Sequence, residues 1–199
     1  LMHQAFSQFS TNIEEVRKTL LISTSLNVPT SSIVDTNSIL RSCIVLSVSA
    51  IDHLIHELTI TGMREIFNGI RPVTPKYNSF NVSLGFMNAI TATPPLITFE
   101  AEIRKSLGWQ TFQRPEKIKE AVALFNTLQL WQQVAIMMCD TEVKIKNQLN
   151  LIVDRRNMIA HEADIEPIFK TKRPISDSDV SETINFIEKL GATIYNLVR

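Results

Sequence analysis

The chain has 199 residues, 44% of them apolar, with 20 basic and 20 acidic side chains and a formal net charge of zero. That length holds one domain, or one domain with an arm, and buries a sizeable core, and with an apolar share in the globular range disorder is not the default. A neutral chain exerts no global field on nucleic acid, so a polyanion has to be met by a local cluster of cations.

Glycine is scarce, at five residues, apolar side chains recur at helical spacing, and strand-like alternation never runs beyond a few residues; the fold class read from this is all-α. A first helix spans 4–26, with Phe6, Phe9, Ile13, Val16 and Leu20 on one side. NVPTSS at 27–32 is a turn, because Pro29 ends any helix before it. Asp35 or Thr36 can cap a long helix over 37–68, which Gly69 and Pro72 stop. Its middle, CIVLSVSAIDHLIHEL, is apolar on more than one side, as in a central helix touched by several neighbours.

Residues 70–78 read as a loop and 79–91 as a short helix ended by Thr93-Pro94-Pro95. Thr98 opens another short helix that closes at Gly108, and 109–114 form a connector. Pro115 fits a first helical position, and that helix reaches Phe125. A short helix covers 128–137, and Thr141 begins a longer one. Prolines 167 and 174 bracket a loop, and Ser176 with Asp179 starts a last helix over 176–198. The expected architecture is a helical bundle of three to four long helices with short helices inserted between, in a single domain over 1–199. The chain opens on Leu1 rather than Met, as an excised domain would.

No secretory leader and no run of roughly 20 apolar residues is read, so a cytoplasmic protein without a membrane partner is expected. Cys43 and Cys139 lie far apart in apolar helical segments and are read as reduced core thiols. Trp109, Phe112 and Trp131 are read as core anchors rather than platforms for base stacking. Asp52-His53-x-x-His56-Glu57 has neither H-E-x-x-H nor H-x-x-E-H order, so no metal site is assigned.

The chemistry concentrates in KIKNQLNLIVDRRNMIAHEAD, residues 144–164. Leu149, Ile152, Val153, Arg156 and Ala160 share one helical stripe, and Arg156 is a permanent cation set into that apolar seam. His161 follows, the side chain best able to trade a proton near neutral pH. In a regular helix Arg156 and His161 point about 140° apart, so they converge only if the arginine bends round or the helix ends near His161. Asn157 and His161 are i, i+4, and Asn157 can fix the imidazole's tautomer. The same residues also suit a structural ion pair, with Arg156 or Arg155 held by Asp154, Glu162 or Asp52 and His161 favoured at the helix C-terminus by its dipole.

Arg-Asn, three residues and then His, at a helix end in an all-α chain, resembles the R-x(4–6)-H motif of the HEPN superfamily. The acidic tail of RRNMIAHEAD, the acidic residue within SAIDHLIHEL, and LGWQTFQRPEKIKEAVALF resemble its RiboL-PSP-HEPN and nuclease-like branches, the last as the region between two core hairpins. The resemblance covers about 37–165, to which the helices at 4–26 and 176–198 add. It implies a metal-independent endoribonuclease of a bacterial defence or toxin–antitoxin system, with no cofactor. Its partners would be RNA, a second copy of the chain that completes a composite cleft, and an antitoxin or associated defence protein. By that resemblance Arg156 and His161 are catalytic and Asn157 supports them. The other role open to such a module is non-catalytic binding or dimerisation beside a nucleotidyltransferase or within a larger defence protein.

Around the motif, Ser42, Val45, Ser49, Asp52 and His56 form a small and polar stripe on the long helix. That face would line the site or a dimer seam, with Asp52 orienting Arg156 and His56 near RNA, or Asp52 would form a buried structural salt bridge. Arg155 lies on another face, at the rim of a phosphate site or in solvent. Lys170, Lys172 and Arg173 make a small basic loop, solvated or steering phosphate.

Overall fold

The computed structural model describes residues 1–27, 36–92 and 94–199. Among these the regular structure is helical, apart from one isolated antiparallel bridge between Ile165 and Lys172. In chain order the helices are α1 (Met2–Asn27), α2 (Thr36–Phe67), α3 (Pro75–Asn78), α4 (Leu84–Ala92), α5 (Pro95–Leu107), α6 (Pro115–Ala123), α7 (Leu130–Met138), α8 (Glu142–Glu162) and α9 (Asp177–Val198). Of the turn expected at 27–32, Asn27 is the last residue of α1 and the rest lies outside the described residues, as do a cap at Asp35 and the stop at Thr93.

The apolar spacing read on α1 buries Phe9, Ile13 and Val16, with Phe6 and Leu20 half-covered beside them. They pack on α2 and α9. α2 is the central helix; Cys43, Val48, Ile51, Leu54, Ile55 and Leu58 are buried on more than one of its sides, against α1, α5, α6, α8 and α9. Two glycines let helices approach closely. A Cβ at Gly191 of α9 would fall 2.4 Å from the Phe9 ring, and one at Gly62 of α2 would fall 2.2 Å from the Phe125 ring. α2 is long and apolar enough to cross a membrane by length and composition, but 56% of its most apolar window is buried inside the protein, as in a core helix.

Local signals set the ends. Gly69 turns the chain out of α2 with φ 71°, where a side chain would be strained. Thr141 accepts from the Lys144 N–H and starts α8; Ser176 accepts from the Asp179 N–H and starts α9. Pro75, Pro95 and Pro115 each stand at the first turn of a helix, where a missing N–H costs nothing.

Several details differ from expectation. The short helix expected over 79–91 begins at Leu84 instead, where Ser83 Oγ accepts from the Phe86 N–H at 3.2 Å. Residues 70–78 contain α3, because Thr74 caps it and Pro75 fits its first turn. α5 starts at Pro95, a turn ahead of Thr98, because a proline that breaks one helix can open the next. Cys43 is buried as expected, but Cys139 is exposed: it ends α7 in the left-handed conformation, φ 56°, which turns it out of the core.

Candidate functional site at the end of α8

The stripe that begins α8's apolar face holds through Leu149, Ile152 and Val153, all buried, and then leaves the core. Arg156 is half-buried and Ala160 exposed, while Ile159 takes over the packing. α8 ends at Glu162 because Ala163 (φ 52°) and Asp164 (φ 59°) both turn left-handed, and the Asp164 N–H closes the helix on the Met158 carbonyl at 2.9 Å. His161 therefore sits exposed in the last helical turn, the helix-end placement its sequence context called for.

The two consecutive arginines are treated differently. Arg155 Nη2 donates to Asp164 Oδ2 at 2.9 Å and to the Pro174 carbonyl at 2.9 Å. Asp164 is 0% exposed and is shared with Arg41 of α2, whose Nε donates to the same oxygen at 2.6 Å and whose Nη2 donates to the Arg173 carbonyl at 2.8 Å. Burial lowers the Arg155 guanidinium's pKa; Asp164 opposes this, Arg41 and Arg173 add to it, and the net shift is downward. The structural ion pair that the sequence allowed therefore exists, but Asp164 holds it rather than Asp154, Glu162 or Asp52. Asp154 instead pairs with Arg114.

Arg156 has no such partner. Its Nη1 donates to Asn157 Oδ1 at 3.1 Å, its Nε is buried without a hydrogen-bond partner, and among the described residues it forms no ion pair. The bond to Asn157 has a geometric consequence. Arg156 and His161 lie about 140° apart around the helix, but Asn157 and His161 lie only about 40° apart. Leaning on Asn157 thus brings the Arg156 guanidinium round toward the face that carries His161. Asn157 was expected to bond the imidazole; the structure gives its carbonyl oxygen to Arg156 instead.

The expected pairing of Asp52 with Arg156 is not made within the chain. Asp52 Oδ1 accepts from the Phe112 N–H at 2.6 Å, and Oδ2 accepts from Gln113 Nε2 at 2.9 Å. His56 Nδ1 lies 3.5 Å from Asp52 Oδ1 and 3.0 Å from the Asp52 carbonyl, and its Nε2 faces the Leu107 carbonyl at 3.4 Å. These groups tie the connector after α5 to α2. Arg41, the α2 residue that does reach the end of α8, is eleven residues earlier, about 16 Å along the helix. Burial pushes the Asp52 carboxyl up, but hydrogen bonds from His56, Gln113 and Phe112 outweigh it and hold it below the ordinary value. Burial pushes His56 down, and the Asp52 carboxylate and carbonyl outweigh that and raise it.

Beyond α8 the chain forms a tight loop. Glu166 accepts from the Ile168 and Phe169 N–H groups at 2.9 and 2.7 Å, and Lys170 turns left-handed at φ 56°. This leaves Ile168 and Phe169 79% and 75% exposed, a few residues from His161. Lys170 and Lys172 are exposed, as a basic edge requires, while Arg173 is half-buried with its carbonyl bound by Arg41.

Sequence reasoning missed Arg41 and Asp164. A signal for Arg41 exists: it shares a stripe with the buried Ile44, Val48, Ile51 and Ile55, a cation in an apolar seam just as Arg156 is. Among the described residues no group of three or more His, Cys, Asp or Glu side chains is placed to hold a metal ion.

A family model described as RiboL-PSP-HEPN matches residues 7–199. No curated protein and no solved structure matches the chain significantly.

Proposed function

We propose, from the premise that the chain belongs to the RiboL-PSP-HEPN family and is a nuclease-like or RNA-related module, that it is a metal-independent endoribonuclease of a bacterial defence or toxin–antitoxin system. One observation carries this reading. Of the two adjacent arginines, Arg155 is neutralised by a buried carboxylate, while Arg156 has no ion pair among the described residues and donates to Asn157, one residue along the helix toward the face that carries His161. A structural role would want that charge paired, since an unpaired guanidinium in a half-buried seam costs stability. A phosphate would supply the missing partner.

RNA brings its own nucleophile. Neutral His161 takes the 2′-OH proton, O2′ bonds to phosphorus, and the bond from phosphorus to O5′ breaks as the departing oxygen gains a proton. Arg156 binds the phosphate and stabilises the charge gathering on its oxygens. The products are a 2′,3′-cyclic phosphate and a 5′-OH. Arg155 holds the end of α8 in place rather than touching the phosphate. A single helix end exposes both groups to solvent on one side only. A second copy, docked with its own Arg156 and His161 across a two-fold axis, would close the cleft and supply the second proton-transfer group. Ile168 and Phe169, seven and eight residues after His161 in the chain, are exposed apolar residues that a second copy could cover.

The test is cleavage of a generic single-stranded RNA in EDTA by the wild type, Arg156→Ala and His161→Ala. The expected result is a cyclic-phosphate product from the wild type and a loss of at least about 100-fold for each variant. Cleavage that survives His161→Ala removes this mechanism, and cleavage abolished by EDTA in the wild type replaces it with metal-assisted chemistry.

A further inference from the structure

Trp109 was expected in the core with Phe112 and Trp131. Phe112 and Trp131 are buried there, and Trp131 Nε1 donates to the Pro115 carbonyl at 3.0 Å, but Trp109 is 80% exposed. It stands in the turn after α5, whose backbone is fixed by the Gln110 N–H bonding to the Leu107 carbonyl at 2.9 Å. An indole held open to water on an ordered turn forgoes a large apolar burial. The sequence reading put it inside because a large aromatic ring is usually a core anchor; the turn after Gly108 points it out instead.

Trp109 forms one wall of a cleft of about 410 Å³. Phe80 and Leu124 add apolar surface, Lys76 adds a cation, and Asn81 and Gln110 add side-chain amides. No carboxylate lines it. Among the described residues Lys76 forms no ion pair, and neither the Asn81 nor the Gln110 side chain has a hydrogen-bond partner within the chain. The walls are pre-set: Thr74 Oγ1 caps α3 and also donates to the Ala123 and Leu124 carbonyls at 3.0 Å, tying α3 to the end of α6.

We infer that this cleft binds an unpaired base of single-stranded RNA, stacked on Trp109, with Lys76 on its phosphate. Each part of the lining matches one part of a nucleotide. A flat exposed indole offers a π-face to any base, unpaired amides offer both a donor and an acceptor to a base edge, and an unpaired ammonium suits a phosphate. The volume lies within the roughly 300–1,000 Å³ of small-ligand sites. The absence of a carboxylate from the lining removes the charge that would repel a phosphate. The cleft lies between the α3 end and the turn after α5, and none of Arg156, Asn157 and His161 lines it, so it would grip the strand outside the scissile bond and lengthen the footprint of a neutral protein on RNA. The choice of RNA as the strand rests on the ribonuclease reading above; the binding chemistry does not.

The probe is a fluorescein-labelled, 2′-O-methylated adenine strand about eight nucleotides long, which cannot be cleaved, and the readout is anisotropy over a range of salt. Trp109→Ala is expected to weaken binding roughly 5- to 100-fold, and Trp109→Phe to retain most of the affinity. Lys76→Ala is expected to reduce the salt slope by about one. Because Trp109 is exposed, its variants fold as the wild type does, which circular dichroism checks. Unchanged affinity of Trp109→Ala overturns the inference, as does a Trp109→Ala effect on self-association in size-exclusion chromatography with RNA binding intact, which would make the cleft a protein contact. Cleavage of natural RNA, measured in parallel, separates the two readings. Cleaving wild type with Trp109-independent binding rejects this site alone; Trp109-dependent binding without cleavage rejects the catalytic reading alone.

Discussion

Asp164→Asn tests whether the end of α8 is held by one carboxylate. The substitution keeps the side chain's shape and tolerates φ 59°, since asparagine enters the left-handed region readily, so it removes little but the charge. Asp164 is fully buried, and it neutralises both Arg41, 7% exposed, and the half-buried Arg155. Breaking a buried pair by deleting one partner costs about 3–5 kcal/mol, because the other charge is stranded. Arg155 can turn to water, whereas Arg41 cannot, and it keeps only the Arg173 carbonyl. The loss should therefore fall at the lower end, about 3 kcal/mol, which for a chain of this size lowers the melting temperature by about 6–12 °C. Asp164→Ala should cost about 1 kcal/mol more, from backbone strain at positive φ. Thermal melts of the wild type, Asp164→Asn, Arg41→Met and the double variant measure the coupling. A fall of less than about 2 °C for Asp164→Asn, or strict additivity in the double variant, would refute the argument that this buried carboxylate anchors the helix end.

Asn157→Ala should lower cleavage by about 10-fold or more with little change in melting temperature, because it frees the Arg156 guanidinium from its aim; equal activity would show that Asn157 positions nothing. The Asp52–His56 pair carries a signed pH dependence. His56 is raised, so its contribution to stability is complete below its unfolded value of about 6.5 and is lost as pH climbs through the folded value. Asp52 is lowered, so its contribution is complete above its unfolded value of about 3.9 and is lost as pH falls through the folded value. The pair should therefore stabilise most between those limits, and Asp52→Asn should flatten the stability profile between pH 5 and 8; an unchanged profile would count against it. Gly191→Ala should destabilise by about 1–3 kcal/mol despite alanine's better helix propensity, because its Cβ meets the Phe9 ring; urea melts check this, and a stabilised variant would mean that α1 yields easily.

Much of the fold could be read because its determinants are local. The caps at Thr141 and Ser176, the prolines that open helices and the glycine that ends α2 each act within one turn of chain, and so do the apolar periods of α1, α2 and α9. What escaped depends on contacts far apart in sequence. Asp52 could be placed on a polar stripe of α2, but whether Arg156 or the Phe112 N–H met it was decided by where the connector folds back, sixty residues later. Trp109 escaped for the opposite reason. A large aromatic ring suggests a core anchor, yet a single turn after Gly108 turned it to solvent. The motif itself was legible as a helix end, while Asn157's partner was not, since both Arg156 and His161 lie within its reach and only rotamers decide between them.

The adjacent arginines differ in a way that bears on the two readings of RRNMIAH. Had Arg156 taken Asp164 and Arg155 been solvated, the motif would have been a helix clamp with a histidine beside it. The arrangement is the reverse. The clamp is built from Arg155, Arg41 and Asp164, all on the inner side of the helix end, and it stands without Arg156, Asn157 or His161. Those three residues take no part in the clamp. They share one turn and a half of helix, Asn157 accepts a hydrogen bond from Arg156, and among the described residues no carboxylate pairs with the Arg156 charge.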